Sequence, residues 1–364
     1  MDAFASRRER LTAMLAKADA EAFLITNLFN VRYLTGFSGD SSYLVLTKDR
    51  AVLVSDGRFT EQIGEECPAL EAVIRPVNQN LYQATAALLE RLGPRSVEFE
   101  STHVTVAEYE SYRALAPTLN WKSGRERVEE LRAIKDKMEI AQIREAIDIA
   151  ERAFQAFREN LRTGDSEKEL VDRLEMAIRN AGGQCSSFPS IVAAGERAAL
   201  PHAPPSDRLV GDAELLLIDW GAQGRAYVSD LTRVLSTGEI SGKFQMIYEV
   251  VLKAQAAAIE AIRPGAKALD IDAAARSVIA AAGYGDRFGH GLGHGIGLQV
   301  HEAPAVRQNS EAVLEAGMVI TIEPGIYLPG WGGIRIEDDI LVTPDGREVL
   351  TQLAKDLPGV VLGW

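Results

Sequence analysis

The chain has 364 residues, 46% of them hydrophobic and 25% charged, which is enough for two or three globular domains. Its 39 lysines and arginines against 52 aspartates and glutamates give a net charge of −13, which argues against electrostatic binding to nucleic acid or an anionic membrane. Two cysteines, Cys67 and Cys185, exclude a disulfide framework and a cysteine-rich zinc site. Since we find neither a secretory leader nor an apolar run of about 18 residues, we expect a cytoplasmic protein.

The N-terminal part of the chain predicts a small α/β domain. Short apolar runs at 22–26, 43–47 and 51–55 predict strands, and helical patterns cover about 6–18 and 82–92. Strands that alternate with helices are typical of an α/β fold. The pattern breaks near 117–130, at a proline, an asparagine and a charged run. We therefore expect domains at 1–125 and 126–364.

The second part of the chain predicts the same series of elements twice. A long helical pattern begins at Ile134 and ends at Thr163-Gly164-Asp165, and Ser166 with Glu169 forms a capping-box signature for a second helix. The further patterns are strands at 213–220 and 226–235, helices at about 243–262 and 269–282, and strands at 318–327 and 334–342. We interpret this order as a duplicated helix–helix–hairpin unit with a pseudo-two-fold axis; the alternative is a chance recurrence.

The first predicted hairpin carries two aspartates. The midpoint between Asp219 and Asp230 falls on Gly224-Arg225, and a glycine followed by any residue is the signal of a type II′ turn. In that register the two carboxylates lie opposite each other, about 5 Å apart. At this distance they repel by about 3 kcal/mol at an effective dielectric of 20. The repulsion requires a shared proton, an arginine or a cation.

The second predicted hairpin repeats the arrangement with two glutamates. Glu323 and Glu337 are centred on Gly330, inside a glycine-rich loop. If the two halves pack face to face, the four carboxylates converge. Such an oxygen-rich group favours divalent metal and has room for two ions. Each acid taken alone is more simply a surface residue or a salt-bridge partner.

Four of the five histidines also lie in the duplicated region: His202, His290, His294 and His301. Glycine occupies every second position from 289 to 297, which argues against a helical zinc-binding pair. In an extended segment, His290 and His294 share one face but lie about 13 Å apart. We therefore expect one of them to bind metal and the other to lie further along a cleft. Taken alone, His202 or His301 is more often a structural histidine.

Together these motifs resemble a known family. The sequences IDWGA, SDLTR, GHGIG, VHE, EPGIY and RIEDD, within 135–364, resemble the metal-dependent aminopeptidase P/prolidase family with the pita-bread fold. NVRYLTGFSG and VSDGRF resemble the smaller creatinase-type domain that precedes it. The resemblance implies an α/β (α+β) protein with a creatinase-type N-terminal domain and a pita-bread C-terminal domain.

The resemblance also assigns roles to residues. It implies a dinuclear site whose ligands are Asp219, Asp230, His294, Glu323 and Glu337. Among these, Asp230 and Glu337 would bridge the ions, Asp219 would hold one ion, and the remaining two would hold the other. The substrate-cleft histidines would be His202, His290 and His301, and Arg335 would support the site. Ala203 is a small departure, because relatives often have glycine there.

The implied activity is hydrolysis of the peptide bond before proline, which releases the N-terminal residue. The metals would activate water, with Glu323 moving its proton, His301 and His290 stabilising the oxyanion, and His202 holding the proline side. The oxygen-rich ligand set favours manganese, with cobalt or zinc as alternatives. Proline-containing peptides are the expected partners, and the resemblance implies a homodimer.

Within the family, the TGFSG and DGRF stretches favour an aminopeptidase P over a prolidase, which cleaves Xaa-Pro dipeptides only. Two less favoured alternatives are a metal-free hydrolase of the creatinase type and a non-catalytic peptide-binding module. The intact ligand set counts against both, since such proteins typically lose ligands.

Overall fold

The computed structural model describes residues 3–362. It divides into two compact units, Met1–Arg132 and Ala133–Trp364, so the division falls after Arg132 rather than after residue 125. The segment between these positions stays with the first unit because its contacts lie there. Tyr33 Oη donates a hydrogen bond to the Leu131 carbonyl at 3.1 Å, and Arg127 Nε donates to Glu98 at 3.0 Å.

The first unit is built on one mixed sheet. Its elements are α1 (Ala3–Lys17), β1 (Ala22–Ile25), α2 (Leu28–Thr35), β2 (Tyr43–Thr47), β3 (Ala51–Ser55), α3 (Thr60–Glu66), β4 (Glu71–Ile74), α4 (Leu81–Leu92), β5 (Ser96–Glu100), α5 (Val106–Leu115), β6 (Asn120–Gly124) and α6 (Arg127–Ala133). The strand order is β4-β3-β2-β1-β5-β6. The pairs β1–β2 and β2–β3 are antiparallel, and the others are parallel.

The strands and helices predicted for this unit are confirmed, but the predicted break at 117–130 is wrong. That interval contains β6 and most of α6. Strand β6 lies at the edge of the sheet and its sequence, NWKSG, is mostly polar and partly exposed. An edge strand of this kind has no alternating apolar pattern, and this is why the sequence does not predict it.

The elements of the second unit include both predicted helix–helix–hairpin series and several short strands that the sequence does not predict. They are α7 (Lys137–Glu159), α8 (Glu167–Asn180), β7 (Cys185–Ser186), β8 (Ile191–Ala194), β9 (Leu215–Trp220), β10 (Ala222–Gln223), β11 (Leu231–Ser236), α9 (Gly242–Ala261), α10 (Ala268–Ala281), β12 (Gly293–Gly295), β13 (Glu302–Val306), β14 (Val319–Ile322), β15 (Gly325–Leu328), β16 (Gly332–Arg335), β17 (Asp338–Thr343) and β18 (Gly346–Val349).

Capping residues fix where the first two of these helices begin. Helix α7 begins at Lys137, later than the apolar pattern suggests, because the Asp136 side chain accepts hydrogen bonds from the backbone N–H groups of Met138 and Glu139. Helix α8 begins with the predicted capping box. Ser166 accepts from the Glu169 backbone N–H, and the Glu169 carboxylate accepts from the Ser166 N–H at 2.8 Å.

The two halves of the unit share one strand order. In the first half β9 lies between β8 and β11, and in the second half β14 lies between β12 and β17, with every pairing antiparallel. An antiparallel bridge between Thr232 and Glu337 joins the halves. Strand β9 is buried along its length, which accounts for its continuous apolar run, and Trp220 stacks on Phe154 with ring centroids 4.3 Å apart.

The register of the first hairpin differs from the prediction. Asp219 lies opposite Thr232, two residues from the predicted partner Asp230. The Gly224 N–H bonds to the Tyr227 carbonyl at 3.0 Å, so the glycine precedes the turn instead of opening it. A shift of two residues keeps every side chain on its original face, because side chains alternate with a period of two. Asp219 and Asp230 therefore still share a face, on a diagonal.

The register of the second hairpin is as predicted. Ile322 pairs with Asp338 and Gly325 pairs with Arg335, so Glu323 and Glu337, which lie between these pairs, are opposite each other. Among the helices of the described region, none has the length and apolarity that crossing a bilayer requires.

Candidate metal centre and active-site cleft

A cavity of about 650 Å³ in the second unit brings the predicted site residues together. Its walls include all of the predicted ligands and cleft residues, namely Asp219, Asp230, His294, Glu323, Glu337, His202, His290, His301 and Arg335. A larger groove, of about 940 Å³, lies on the first unit, but its lining has no histidine and its acids are exposed. The cavity in the second unit is therefore the candidate site.

Strand ends position the four carboxylates. Asp219 lies near the end of β9 and Asp230 directly precedes β11. In the second half, Glu323 directly follows β14 and Glu337 directly precedes β17. The duplicated topology thus delivers one acid from each strand of two equivalent hairpins. His294 adds an imidazole from β12, the neighbour of β14.

The closest group consists of Asp230, His294 and Glu337. One ligand atom from each of these residues lies within 4.8 Å of the others. Glu323 adjoins them, since His294 Nε2 lies 3.6 Å from a Glu323 oxygen and 3.6 Å from an Asp230 oxygen. Asp219 accepts a hydrogen bond from Arg335 at 2.5 Å. The structure therefore brings all five predicted ligands to one place; their roles as ligands stay a prediction.

The four carboxyl groups of the cluster are buried close together, and the positive charge of Arg335 is not enough to offset their mutual repulsion. Burial, with the charges of Glu337 and Asp219, raises the pKa of Asp230 well above its ordinary value. Burial and Asp219 raise the pKa of Glu337 to about 8, and burial and Glu337 raise the pKa of Glu323 well above its ordinary value. Burial also raises the pKa of Asp219, against the effect of Arg335. Such groups ionise readily only when a cation joins them.

Two further observations fit a cation at this position. Asp219 Oδ1 is buried and has no hydrogen-bond partner among the described residues. Burial and the neighbouring His301 lower the pKa of His294 to about 4, so its imidazole is neutral and has a free lone pair for a metal. Carboxylate oxygens with one imidazole suit a divalent ion of intermediate hardness.

Hydrogen bonds from Arg335 hold the acids in place. Its guanidinium donates to Asp219, to Thr232 Oγ1 at 3.1 Å and to Tyr327 Oη at 2.9 Å. Thr232 in turn donates to Glu337 at 2.6 Å. The sequence analysis did not identify Thr232 or Tyr327. Tyr327 lies four residues after Glu323, a spacing that keeps it on one face of an extended chain and offers a signal for finding it.

The three predicted cleft histidines occupy different parts of the cavity wall. His301 lies with its ring centroid 4.4 Å from that of His294, and its side chain is exposed. His290 is outside the compact group of Asp230, His294 and Glu337, and its Nε2 lies 2.8 Å from Tyr327 Oη. His202 is exposed in the loop after Leu200. Arg307 also lines the cavity, and the sequence analysis did not identify it.

Comparisons with known proteins agree with this geometry. Residues 141–344 match the model of metallopeptidase family M24, and residues 7–134 match the creatinase/prolidase N-terminal domain. An Xaa-Pro dipeptidase from Pyrococcus furiosus is 35% identical over 352 residues, which are 96% of this chain and 99% of that protein.

Solved structures give the same result. The Xaa-Pro dipeptidase from Bacillus anthracis is 37% identical, with a TM-score of 0.94 over 99% of this chain and 100% of that one. The X-Pro aminopeptidase from Thermotoga maritima is 34% identical, with a TM-score of 0.89 over 98% of this chain and 100% of that one. The predicted fold, a creatinase-type domain followed by a pita-bread domain, is confirmed. The chain belongs to metallopeptidase family M24.

Proposed function

We propose that the protein is an Xaa-Pro dipeptidase, which hydrolyses the peptide bond before a C-terminal proline with the help of two divalent metal ions. The similar proteins from Pyrococcus furiosus and Bacillus anthracis are both described as Xaa-Pro dipeptidases. The comparisons thus support the prolidase alternative better than the aminopeptidase P reading favoured by the TGFSG and DGRF stretches.

The observation that favours a dipeptide substrate is the position of Arg307. It lies in the wall of the cavity that contains the acids, its side chain is exposed, and it makes no ion pair with any described residue. In an Xaa-Pro dipeptide, proline carries the C-terminal carboxylate, one residue from the bond that is cleaved. A longer peptide has an uncharged amide there. A free guanidinium recognises a carboxylate through two parallel hydrogen bonds, which favours the dipeptide.

The five clustered side chains would hold the metal ions. Asp230, His294 and Glu337 form the most compact group, Glu323 lies 3.6 Å from His294, and Asp219 is held by Arg335. When bound, divalent ions supply Lewis acidity, which lowers the pKa of water and polarises the substrate carbonyl. We propose manganese on the basis of the oxygen-rich ligand set, with cobalt or zinc as alternatives.

The remaining residues would move protons and stabilise charge. Glu323 would accept the proton of the attacking water and pass it to the departing proline nitrogen, since its carboxylate lines the cavity beside His294. His301 would donate a hydrogen bond to the carbonyl oxygen as negative charge develops there. Burial and Arg335 lower the pKa of His290 to about 4, so its ring is neutral. Its single N–H, on Nδ1, donates to the Gly291 carbonyl at 2.8 Å and its Nε2 accepts from Tyr327 Oη, so His290 would contact the substrate as part of the cleft wall. His202 would hold the proline side of the substrate.

A peptide panel tests this proposal. Purified protein is assayed on Xaa-Pro and Xaa-Pro-Yaa, with manganese, cobalt and zinc supplied separately. We expect cleavage of the dipeptides and little or none of the tripeptides. Loss of the Arg307 guanidinium removes a charge-assisted contact of about 1.5–3 kcal/mol. The R307Q variant should therefore lose about 10–100-fold in kcat/KM on dipeptides. R287Q, at an exposed arginine outside the cavity wall, is the matched control.

The second candidate function is an Xaa-Pro aminopeptidase, which the likeness to the Thermotoga maritima enzyme favours. Cleavage of tripeptides at a rate equal to that of dipeptides, with no effect of R307Q, would establish this activity and contradict the dipeptidase proposal.

A further inference from the structure

The segment that carries His290 has little backbone support of its own. Residues 288–292 precede β12 and belong to no strand. Gly289 and Gly291 flank the histidine, and a Cβ added at Gly289 would meet no atom within 4 Å. In contrast, Gly293 is packed so closely that a Cβ would lie 2.0 Å from the Thr321 carbonyl oxygen. Packing thus tightens after His290, since a Cβ at Gly291 would already lie 3.1 Å from Arg307 Cβ, and the backbone before His290, at Gly289, is the side with free space.

Arg276, on helix α10, supports this segment from outside. Its guanidinium donates to the Phe288 carbonyl at 2.8 Å and to the His290 carbonyl at 2.9 Å. The guanidinium carbon lies 4.1 Å from the Phe288 ring centroid, within the range of a cation–π interaction. One side chain therefore binds the backbone on both sides of Gly289.

Asp272 fixes the orientation of Arg276. The two residues are one helical turn apart, and Arg276 Nε and one terminal nitrogen each donate to an Asp272 oxygen at 2.8 Å. Asp272 is completely buried. A two-point pair of this kind sets the plane of the guanidinium, so its remaining N–H groups point in a defined direction.

The support extends to the His290 ring and from there to the acids. The His290 and Phe288 rings form a T-shaped pair, with centroids 5.0 Å apart and planes at 88°. Its Nδ1 lies 2.8 Å from the Gly291 carbonyl oxygen and its Nε2 lies 2.8 Å from Tyr327 Oη. Tyr327 accepts from Arg335, which binds Asp219. A shift in the His290 backbone would break this series of contacts on the substrate side of the site.

We propose that Arg276, oriented by Asp272, is a positioning residue that fixes the His290 imidazole in the substrate cleft. Its kinetic consequence rests on the proposed peptidase function; the position of the ring does not. Arg276 contacts none of the five clustered ligands in the described structure, so its loss should affect the handling of substrate and leave metal binding unchanged.

The test compares R276M and R276K with R152M in the metal-loaded protein. Arg152 is the matched control because it also pairs with an aspartate one turn earlier, Asp148 at 2.9 Å, but on the exposed face of α7. We expect R276M to lower kcat about 10–100-fold, the usual effect of losing an orienting partner. KM should change less, and the amount of bound metal should stay the same. R276K keeps the positive charge but lacks the planar guanidinium, so its kcat should lie between those of R276M and the wild type.

Imidazole NMR signals of the zinc-loaded, diamagnetic protein provide a second readout without substrate. The His290 signal, assigned with H290Q, should shift or broaden in R276M, whereas the His294 signal should not. An unchanged His290 signal and kcat would overturn the proposal, and so would a parallel loss of bound metal. If R276M does not fold, the His290 and His294 signals of R276K test the proposal instead. If the wild type cleaves no Xaa-Pro peptide, the proposed function fails, but the His290 signal still tests the positioning.

Discussion

Replacing Arg233 by methionine should destabilise the second unit strongly and weaken metal binding. Arg233 is 1% exposed and lies in β11, where the two halves meet. It donates to the carbonyls of Thr232 at 2.9 Å, Glu337 at 2.6 Å and Leu353 at 3.0 Å, and to the Asp338 carboxylate at 2.7 Å. Methionine fills much of the same volume but donates to none of these oxygens.

The magnitude follows from the acceptors left behind. A buried acceptor that loses its donor costs about 1–3 kcal/mol, and breaking a buried ion pair from one side costs about 3–5 kcal/mol. Asp338 keeps two partners, because Lys355 and Thr351 also donate to it. We therefore expect R233M to lower the free energy of unfolding of this unit by about 3–5 kcal/mol. Metal affinity should fall as well, since the Glu337 backbone loses its donor.

Calorimetry of the chelator-treated protein measures the change, because it resolves the transitions of two units that need not unfold together. The control is R347M, which removes the exposed pair between Arg347 and Glu260. That pair should contribute about 0–1 kcal/mol. A loss below about 1 kcal/mol in R233M, with unchanged metal affinity, would refute the role of the buried network.

Three further outcomes are expected. Burial raises the pKa of Glu100 to about 7, so the folded first unit keeps a proton that the unfolded chain releases near pH 4.5. The free energy of unfolding should therefore fall by about 3 kcal/mol as the pH rises from about 4.5 to about 7. Calorimetry of E100Q over the same pH range should not show this fall. G293A should lower the free energy of unfolding by about 1–3 kcal/mol and displace His294, because the added Cβ would lie 2.0 Å from a carbonyl oxygen. G289A, measured by the same denaturation assay, should change the stability little, since its Cβ would meet no atom. Equal losses in the two variants would contradict this reasoning. E337Q should abolish metal binding in calorimetric titration, while its unfolding temperature without metal should not fall, since the pKa of about 8 already keeps the Glu337 side chain largely uncharged at neutral pH when no metal is bound.

Local patterns predicted a large part of the fold. The capping box at Ser166 fixed the start of α8, and the symmetric spacing around Gly330 gave the register of the second hairpin. The first hairpin was misplaced by two residues because two neighbouring turn positions around Gly224 are compatible with the sequence. Strand β6 lacks an apolar repeat, and helix α2, with eight residues, is too short for its apolar spacing to stand out in the sequence.

Some residues of the candidate site could also be identified from the sequence, and others could not. Acids and histidines in short motifs were identified from spacing and resemblance, because their chemistry is unusual in apolar strands. Tyr327, Arg307 and Arg276 were not identified. Arg276 acts through its contact with the His290 carbonyl, and Arg307 is defined by its place in the cavity wall; a single sequence gives no signal for either, whereas the spacing of Tyr327 from Glu323 offers one.

The central claim is that Asp219, Asp230, His294, Glu323 and Glu337 hold divalent metal for peptide hydrolysis. Elemental analysis after dialysis against manganese, combined with an Xaa-Pro assay before and after chelation, tests it most directly. We expect two ions per chain in the wild type, loss of both metal and activity on chelation, and recovery of both when manganese returns. Full activity in protein shown to contain no metal would contradict the claim.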